Sequence, residues 1–322
     1  MTQTSSPEIS IVVPFFNEED NVEPLYNEIM KVVDEIGKTY ELILINDGSH
    51  DCTFRRLREI ADGNNAVIVI DLLRNYGQTA AMMAGFDHAA GSVIVALDGD
   101  GQNDPASIPV LLQKIDEGYT VASGWRKDRK DKTITRKIPS VIANHLISRI
   151  SGVELKDHGC SLKAYKRDII ADVRLYGEMH RFIPIYASWQ GAKITEVVVN
   201  HRARVHGTTK YGLNRIFKVL LDLLLVSFMG RYMTKPIYVF GGVGIFLLFL
   251  ACLTFAWAIG LKVVTNTSFI LTPLPILTGT FFTTGVLCIL MGLLAEIVIR
   301  TYFESQQKRV YQVRSVIENK SK

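Results

Sequence analysis

Four short apolar runs open the chain: Ile9 to Val13, Glu41 to Ile45, Ala66 to Leu72 and Ser92 to Leu97, each rich in β-branched residues. Amphipathic stretches such as Glu23 to Ile36 and Pro105 to Gly118 lie between them. Continuous apolar strands separated by helices predict an α/β domain with a mostly parallel sheet covered on both faces. Ligands of such sheets bind at the carboxyl ends of the strands, where this chain places its unusual polar residues.

Beyond Lys235 the pattern changes. The 26 residues from Pro236 to Leu261 carry no charge, nor do the 33 from Val263 to Ala295, with Pro273 and Pro275 near the start of the second run. A helix rises about 1.5 Å per residue and a hydrocarbon core is roughly 30 Å thick, so about 20 residues suffice to cross it. Two transmembrane helices are expected, over about 236–261 and 272–297. Arg231 and Lys235 precede the first run, and Arg300, Lys308, Arg309 and Arg314 follow the second, whereas the intervening loop offers only Lys262. That bias places both termini in the cytoplasm, on an integral protein of the cytoplasmic (inner) membrane.

Two further segments carry the marks of helices lying in the interface. In Lys210 to Met229 the polar positions Lys210, Asn214, Lys218 and Asp222 recur every four residues, with Leu213, Ile216, Phe217, Leu220, Leu221 and Leu224 on the other faces. Ile138 to Ile150 is similar, with Pro139 at the first turn, and packing against the sheet competes as an explanation there. The expected organisation is an α/β domain over 1–208, an interfacial helix and linker over 209–235, a two-helix hairpin over 236–300 and a cytoplasmic tail over 301–322 that is polar and frayed after Tyr311.

Composition adds little. The chain is 48% hydrophobic and 21% charged with a formal net charge of +4, too small to imply nucleic acid, and its basic residues cluster beside the apolar runs, where anionic headgroups would be. The four cysteines show no C-x-x-C spacing, so neither a zinc site nor a disulfide framework is suggested, and the polar N-terminus lacks the features of a cleavable secretion signal.

The chemistry sits at the strand ends. After the fourth run comes Leu97-Asp98-Gly99-Asp100-Gly101-Gln102, two carboxylates one residue apart among glycines. Hard divalent cations take oxygen ligands, and the glycines permit close approach of a diphosphate. The first strand ends in Val13-Pro14-Phe15-Phe16-Asn17-Glu18, the second in Ile45-Asn46-Asp47-Gly48-Ser49, and the third is followed by Arg74-Asn75-Tyr76-Gly77-Gln78. Each alone reads equally well as a cap or turn, but four in successive βα units converge on one crevice.

With these motifs in this order, joined by D-x-G-C at Asp157 to Cys160 and R-x-x-G-x-T-K-Y at Arg204 to Tyr211, the chain resembles the family-2 glycosyltransferases of GT-A fold. Within them it is similar to the polyprenyl-phosphate glycosyltransferases, the group of dolichol-phosphate mannose synthase, and its two apolar runs match bacterial members that make undecaprenyl-phosphate sugars for cell-envelope glycosylation. The resemblance implies an inverting transfer from a nucleotide-sugar, UDP-glucose first, to a polyprenyl phosphate. GDP-mannose, UDP-N-acetylglucosamine and an aminoarabinose donor are the alternatives. It also implies that Pro14, Phe16, Glu18, Asp47 and Gly77 hold the nucleoside part, with Asp47 accepting from the base, and that Asp98, Asp100 and Gln102 handle ribose, diphosphate and a Mg²⁺ or Mn²⁺ ion. Asp157 would be the general base, and Arg126, Arg136, Arg204 and Lys210 would bind phosphate groups. Two positions depart from the family pattern: Asn46 stands where a first acid is frequent, and Gly101 where a leucine is.

The chemistry agrees with that expectation. A metal ion stabilises the charge that develops on a departing nucleoside diphosphate. The acceptor phosphate is already anionic, so positioning by arginine forks matters more than a base. A processive polysaccharide synthase would carry Q-x-x-R-W, which is absent, and a dehydrogenase would carry G-x-G-x-x-G after the first strand, also absent. A membrane carrier with a nucleotide-sensing domain needs a lined pathway, which two uncharged spans offer only if several copies assemble. A homo-oligomer packed through the hairpin is expected.

Overall fold

The computed structural model describes residues 6–127, 148, 151–171, 179–202, 237–265, 268–269, 272–305 and 311–319. The segments read as interfacial helices, 138–150 and 210–229, lie outside these residues except for Ser148, as do Arg136, Arg204 and Lys210.

Strand β1 (Ile9–Phe15) lies inside the sheet, flanked by β2 (Tyr40–Asn46) and β4 (Val93–Ala96), both parallel to it; β3 (Val67–Leu72) runs parallel to β2. Ile11, Val12 and Val13 are at most 1% exposed, which is why these runs are apolar without alternation. Helices α1 (Glu19–Ile36), α2 (Thr53–Gly63), α3 (Gln78–His88) and α4 (Ile108–Asp116) connect and cover the strands. Helix α1 opens with Glu19 and Asp20, charges that suit its amino end, and stops at Gly37, whose φ of 66° few other residues adopt cheaply. The right-handed crossovers of such a sheet bring Phe15, Asn46, Leu72 and Ala96 to one edge, with Phe15 beside Asn46 and Asn46 beside Asp71.

The remaining strands were not anticipated. β5 (Val121–Trp125), β6 (Lys163–Lys166) and β7 (Ile194–Val198) extend the sheet past β4, with α5 (Arg167–Ala171) and α6 (Ile183–Trp189) between the last two. β6 runs antiparallel to both β4 and β5. On the other side β8 (Val313–Glu318) pairs antiparallel with β3, giving the order β7-β5-β6-β4-β1-β2-β3-β8. The tail after Tyr311 is therefore not frayed through this stretch. Its residues alternate half-buried and exposed, and a strand that buries only one side at a sheet edge can be polar and still gain a full ladder of backbone hydrogen bonds.

The chain divides into two compact bodies, Met1–Val226 with Arg309–Lys322, and Ser227–Lys308. The second holds α7 (Ile237–Thr265) and α8 (Leu274–Ser305), both long and apolar enough to cross a membrane, with spans at Val239–Thr265 and Leu274–Ala295. Helix α7 continues past Lys262, which lies over the Phe269 ring at 4.4 Å and so is not a loop residue. The two helices touch closely at Gly244 and Gly285, where a Cβ would come within 2.7 Å and 2.9 Å of the other glycine's carbonyl oxygen. Thr254 and Thr278 share a 2.8 Å hydrogen bond across the pair. Small residues and hydroxyls at such contacts are what lipid-facing helices use, since apolar surface alone gives no preference for helix over lipid.

Candidate active site

Asp47 follows β2 and turns inward. Its Oδ1 accepts from the Tyr76 amide at 2.8 Å, and its Oδ2 from the Gly77 amide at 2.9 Å and the Asn75 side chain at 3.1 Å. The loop after β3 is thereby tied to the loop after β2. Gly48, at φ 64°, backs directly onto Arg74 and Asn75, where a side chain would meet backbone at 2.4 Å. Burial pushes the Asp47 carboxyl up to about 6 against the pull of the two amides. The carboxylate is thus spent on the loop that ends at the amino terminus of α3.

The departure at Asn46 has a physical reason next door. Asp71, 1% exposed at the end of β3, accepts from the Asn46 amide at 2.7 Å, and Asn46 in turn accepts from the Ser49 amide at 3.2 Å. A carboxylate at 46 would face the buried carboxylate of Asp71 without a proton to share. Arg314 of β8 takes the other Asp71 oxygen at 3.2 Å and the Leu73 carbonyl at 2.7 Å.

After β4, Asp98 and Asp100 leave the strand end together. Burial raises the Asp98 carboxyl to about 6, the Asp100 charge adds to the rise, and Ser161, Arg126 and Arg181 oppose it. Gln78 of α3 donates to its Oδ1. Gly99 between the acids packs onto Phe15 and the Pro14 carbonyl so tightly that a Cβ would lie at 2.6–2.7 Å. Asp100 Oδ1 accepts the Gln102 amide at 3.1 Å. Two carboxylates that repel each other beside open backbone form the donor set a hard divalent cation relieves, and substrate oxygens would have to complete it. No group of three or more His, Cys, Asp or Glu placed to hold a metal ion occurs among the described residues.

Pro14, Phe16 and Glu18 border the same edge. Glu18 holds the Asn21 amide at 2.6 Å and its own amide reaches Thr53 at 3.0 Å, while Phe16 meets His50 edge-to-face with centroids 6.4 Å apart. Asn17, at φ 52°, sits between them and bonds Ser49 and His50.

Opposite, Asp157 is 6% exposed and forms a bidentate pair with Arg126: Nε to Oδ2 at 2.7 Å and Nη2 to Oδ1 at 2.9 Å. The Gly159 amide adds a third bond to Oδ1 at 3.1 Å. Burial works against the Arg126 charge, but the pair outweighs it and holds the guanidinium protonated well beyond its ordinary range. Arg126 also acts on Asp98, and Ser161, two residues beyond Gly159, bonds the Asp98 side chain, so the acids and this ion pair lie on adjoining loops. Arg181 reaches the same loop at Gly159, and the buried Lys163 bonds the His158 carbonyl at 3.2 Å; no periodicity or motif pointed to either. The segment that leads towards Arg204 is fastened by Arg202, whose amide donates to the Gln102 carbonyl at 2.9 Å and whose guanidinium reaches Asp104 at 2.8 Å and Glu28 at 2.7 Å.

Comparison with known proteins identifies the family and the fold. Residues 10–174 match the model of the glycosyl transferase family 2. The chain is 42% identical to the dodecaprenyl-phosphate galacturonate synthase of Rhizobium johnstonii over 98% of its own length and 95% of that protein's. It is 35% identical to the undecaprenyl-phosphate 4-deoxy-4-formamido-L-arabinose transferase of Edwardsiella ictaluri, covering 96% and 94%. Among solved structures it resembles glucosyl-3-phosphoglycerate synthase from Mycobacterium tuberculosis in complex with Mn²⁺, UDP and glucosyl-3-phosphoglycerate, with a TM-score of 0.54 at 19% identity over 70% of this chain and 80% of that one, which shows a shared GT-A fold. With a family match over half its length and two relatives aligned end to end, this chain belongs to glycosyl transferase family 2 and is a glycosyltransferase.

Proposed function

We propose that the enzyme transfers a sugar from a UDP-sugar to the phosphate of a polyprenyl carrier at the cytoplasmic face of a membrane, inverting the anomeric centre. The observation that carries this reading is the joining of the Asp98–Asp100 acids to the Arg126–Asp157 pair on adjoining loops, in a chain that also bears two membrane-length apolar helices. The names of the two relatives supply the acceptor class and favour galacturonate or a formamido-pentose as the sugar. UDP-galacturonate therefore heads the donor panel, before the UDP-glucose implied by the family resemblance and GDP-mannose.

In this reading Asp47 keeps the Tyr76–Gly77 amides in place as one wall of the nucleoside site, with Pro14, Phe16 and Glu18 as the other. Asp98, Asp100 and Gln102 would hold Mg²⁺ or Mn²⁺, which when bound neutralises charge on the departing diphosphate. Arg126 binds a substrate phosphate. Asp157, with both oxygens on that guanidinium, is better placed to fix its plane than to take a proton, and an ionised phosphate needs no base. Arg136, Arg204 and Lys210 remain proposed phosphate ligands, and assembly into homo-oligomers remains a proposal.

The test uses full-length protein in detergent with a polyprenyl phosphate, Mn²⁺ and each labelled nucleotide-sugar in turn. A labelled lipid with at least one donor is expected, and none with any donor defeats the reading. Asp157→Asn separates the two roles: positioning predicts transfer slowed about 10²-fold with an unchanged shape of the pH–rate profile. A base predicts that the low-pH limb disappears.

A further inference from the structure

Beside the Arg126–Asp157 pair stand two cations with no role so far. Gly159 is where they meet. From the point at which its Cβ would lie, Arg126 Nη2 is 3.2 Å away, Asp157 Oδ1 3.5 Å and Arg181 Nη1 3.8 Å, so two guanidinium groups from distant parts of the chain lean over one glycine. Both guanidinium charges act on Asp98, and Ser161, two residues beyond Gly159, bonds the Asp98 side chain, which ties this glycine's loop to the acids.

Behind the fork lies Lys163, 1% exposed on β6. Its ammonium donates to the His158 carbonyl at 3.2 Å, and among the described residues no carboxylate comes within ion-pair distance of it. Burying that charge is costly, the Asp157 carboxylate offsets part of the cost without touching the ammonium, and the negative charge of a ligand would offset more. Burial lowers the Lys163 ammonium to about 8, Cys160 and Asp157 oppose the fall, and Arg181 and Arg126 add to it. The histidines around it show the same field: His158 is lowered to about 4 and His180 well below its usual value, burial leading in both, with Lys163 acting on each. Neutral imidazoles add no charge, so the cluster around Gly159 is set up for an anion.

We propose that Arg126 and Arg181 form a two-guanidinium fork over Gly159 that receives a substrate phosphate, with Lys163 as the buried charge behind it. The fork matches phosphate oxygens as single lysines cannot, and Gly159 is what leaves room for them. The phosphate comes either from the lipid acceptor or from the donor's diphosphate, and the chemistry of recognition is the same. This rests on the transferase reading for its substrates.

Three variants of the full-length protein test it: Arg181→Gln, Arg181→Lys and Gly159→Ala. The last leaves every charge in place and puts a methyl group among the fork's nitrogens. One arm titrates UDP-sugar with Mn²⁺ calorimetrically, and a second measures KM for polyprenyl phosphate. A third reads the rise in melting temperature given by farnesyl phosphate with no donor present. Arg181→Gln is expected to weaken one phosphate partner about 10- to 100-fold, Gly159→Ala to do so in the same arm, and Arg181→Lys to recover part of the loss. A loss in the lipid arms assigns the fork to the acceptor, and a loss in the donor arm assigns it to the diphosphate. Either supports the proposal. Variants that melt lower yet keep every affinity and KM show a structural role and overturn it. If wild-type protein transfers sugar to no lipid, the functional reading fails, and the calorimetric and farnesyl phosphate arms, which need no turnover, together still decide on the fork.

Discussion

Asp47 and Asp98 were both legible in the sequence as strand-end acids, yet what they do depends on burial that no motif displays. Each carboxyl is held near 6 when folded against an ordinary value of 3.8, chiefly by burial. A raised folded value means that the folded chain keeps a proton the unfolded chain has lost, so this contribution to stability is complete below about pH 4 and is gone above about pH 6. Donor binding runs the other way. Asp47 must be ionised to accept from two amides and a side chain at once, and Asp98 must be ionised to hold a cation. Between pH 5 and 7 donor affinity should therefore rise while the ligand-free protein loses stability, read by calorimetric titration and by melting at each pH. An affinity that does not change over that range would show these acids to be ionised throughout. Arg181 and Lys163 escaped the sequence reading because nothing near either marks a strand end. Asp71, likewise unremarked in its apolar run, explains Asn46 only once β2 and β3 are in register.

Among the elements, β1 to β4 were readable because strands buried on both faces must be apolar throughout, and the two hairpin helices because nothing else stays uncharged for so long. β5 and β6 were not. Val121-Ala-Ser-Gly-Trp125 and Lys163-Ala-Tyr-Lys166 are short, and their small or charged residues are buried by neighbours rather than by their own apolarity. In the hairpin, the contact at Gly244 and Gly285 was equally invisible, since glycine in an apolar helix has several explanations. It yields a direct test. Gly244→Leu should separate α7 from α8 and cost on the order of 1–3 kcal/mol by overpacking, seen as a lower melting temperature in detergent. Gly260→Leu, where no atom lies within 4 Å of the new Cβ, should leave melting unchanged. Equal behaviour of the two variants would mean that the helices are not held through that contact.

At the scale of the whole chain, the α/β body contains residues from both sides of the hairpin. If both helices span a membrane, the two ends of the hairpin share a side by connectivity alone, and the basic flanks predict that this side is the cytoplasm. In a background where Cys52, Cys160, Cys252 and Cys288 are replaced, Ser268→Cys should react with an impermeant thiol reagent added to intact cells. Labelling only after the membrane is broken would reverse the orientation.

The return of the chain as β8 also fixes an order of manufacture. Leu72 waits for Val313, 241 positions later, before the outer edge of β3 is covered. At about 5–20 residues per second, a ribosome needs roughly 12 to 50 seconds to make that stretch, and both apolar helices emerge before its end. If the two helices enter a bilayer as they are made, the sheet is completed only by a chain already anchored there. A nascent chain stalled before Val313 would display an open strand edge of the kind that invites aggregation and proteolysis, so the last strand made acts as a check that the anchor came first.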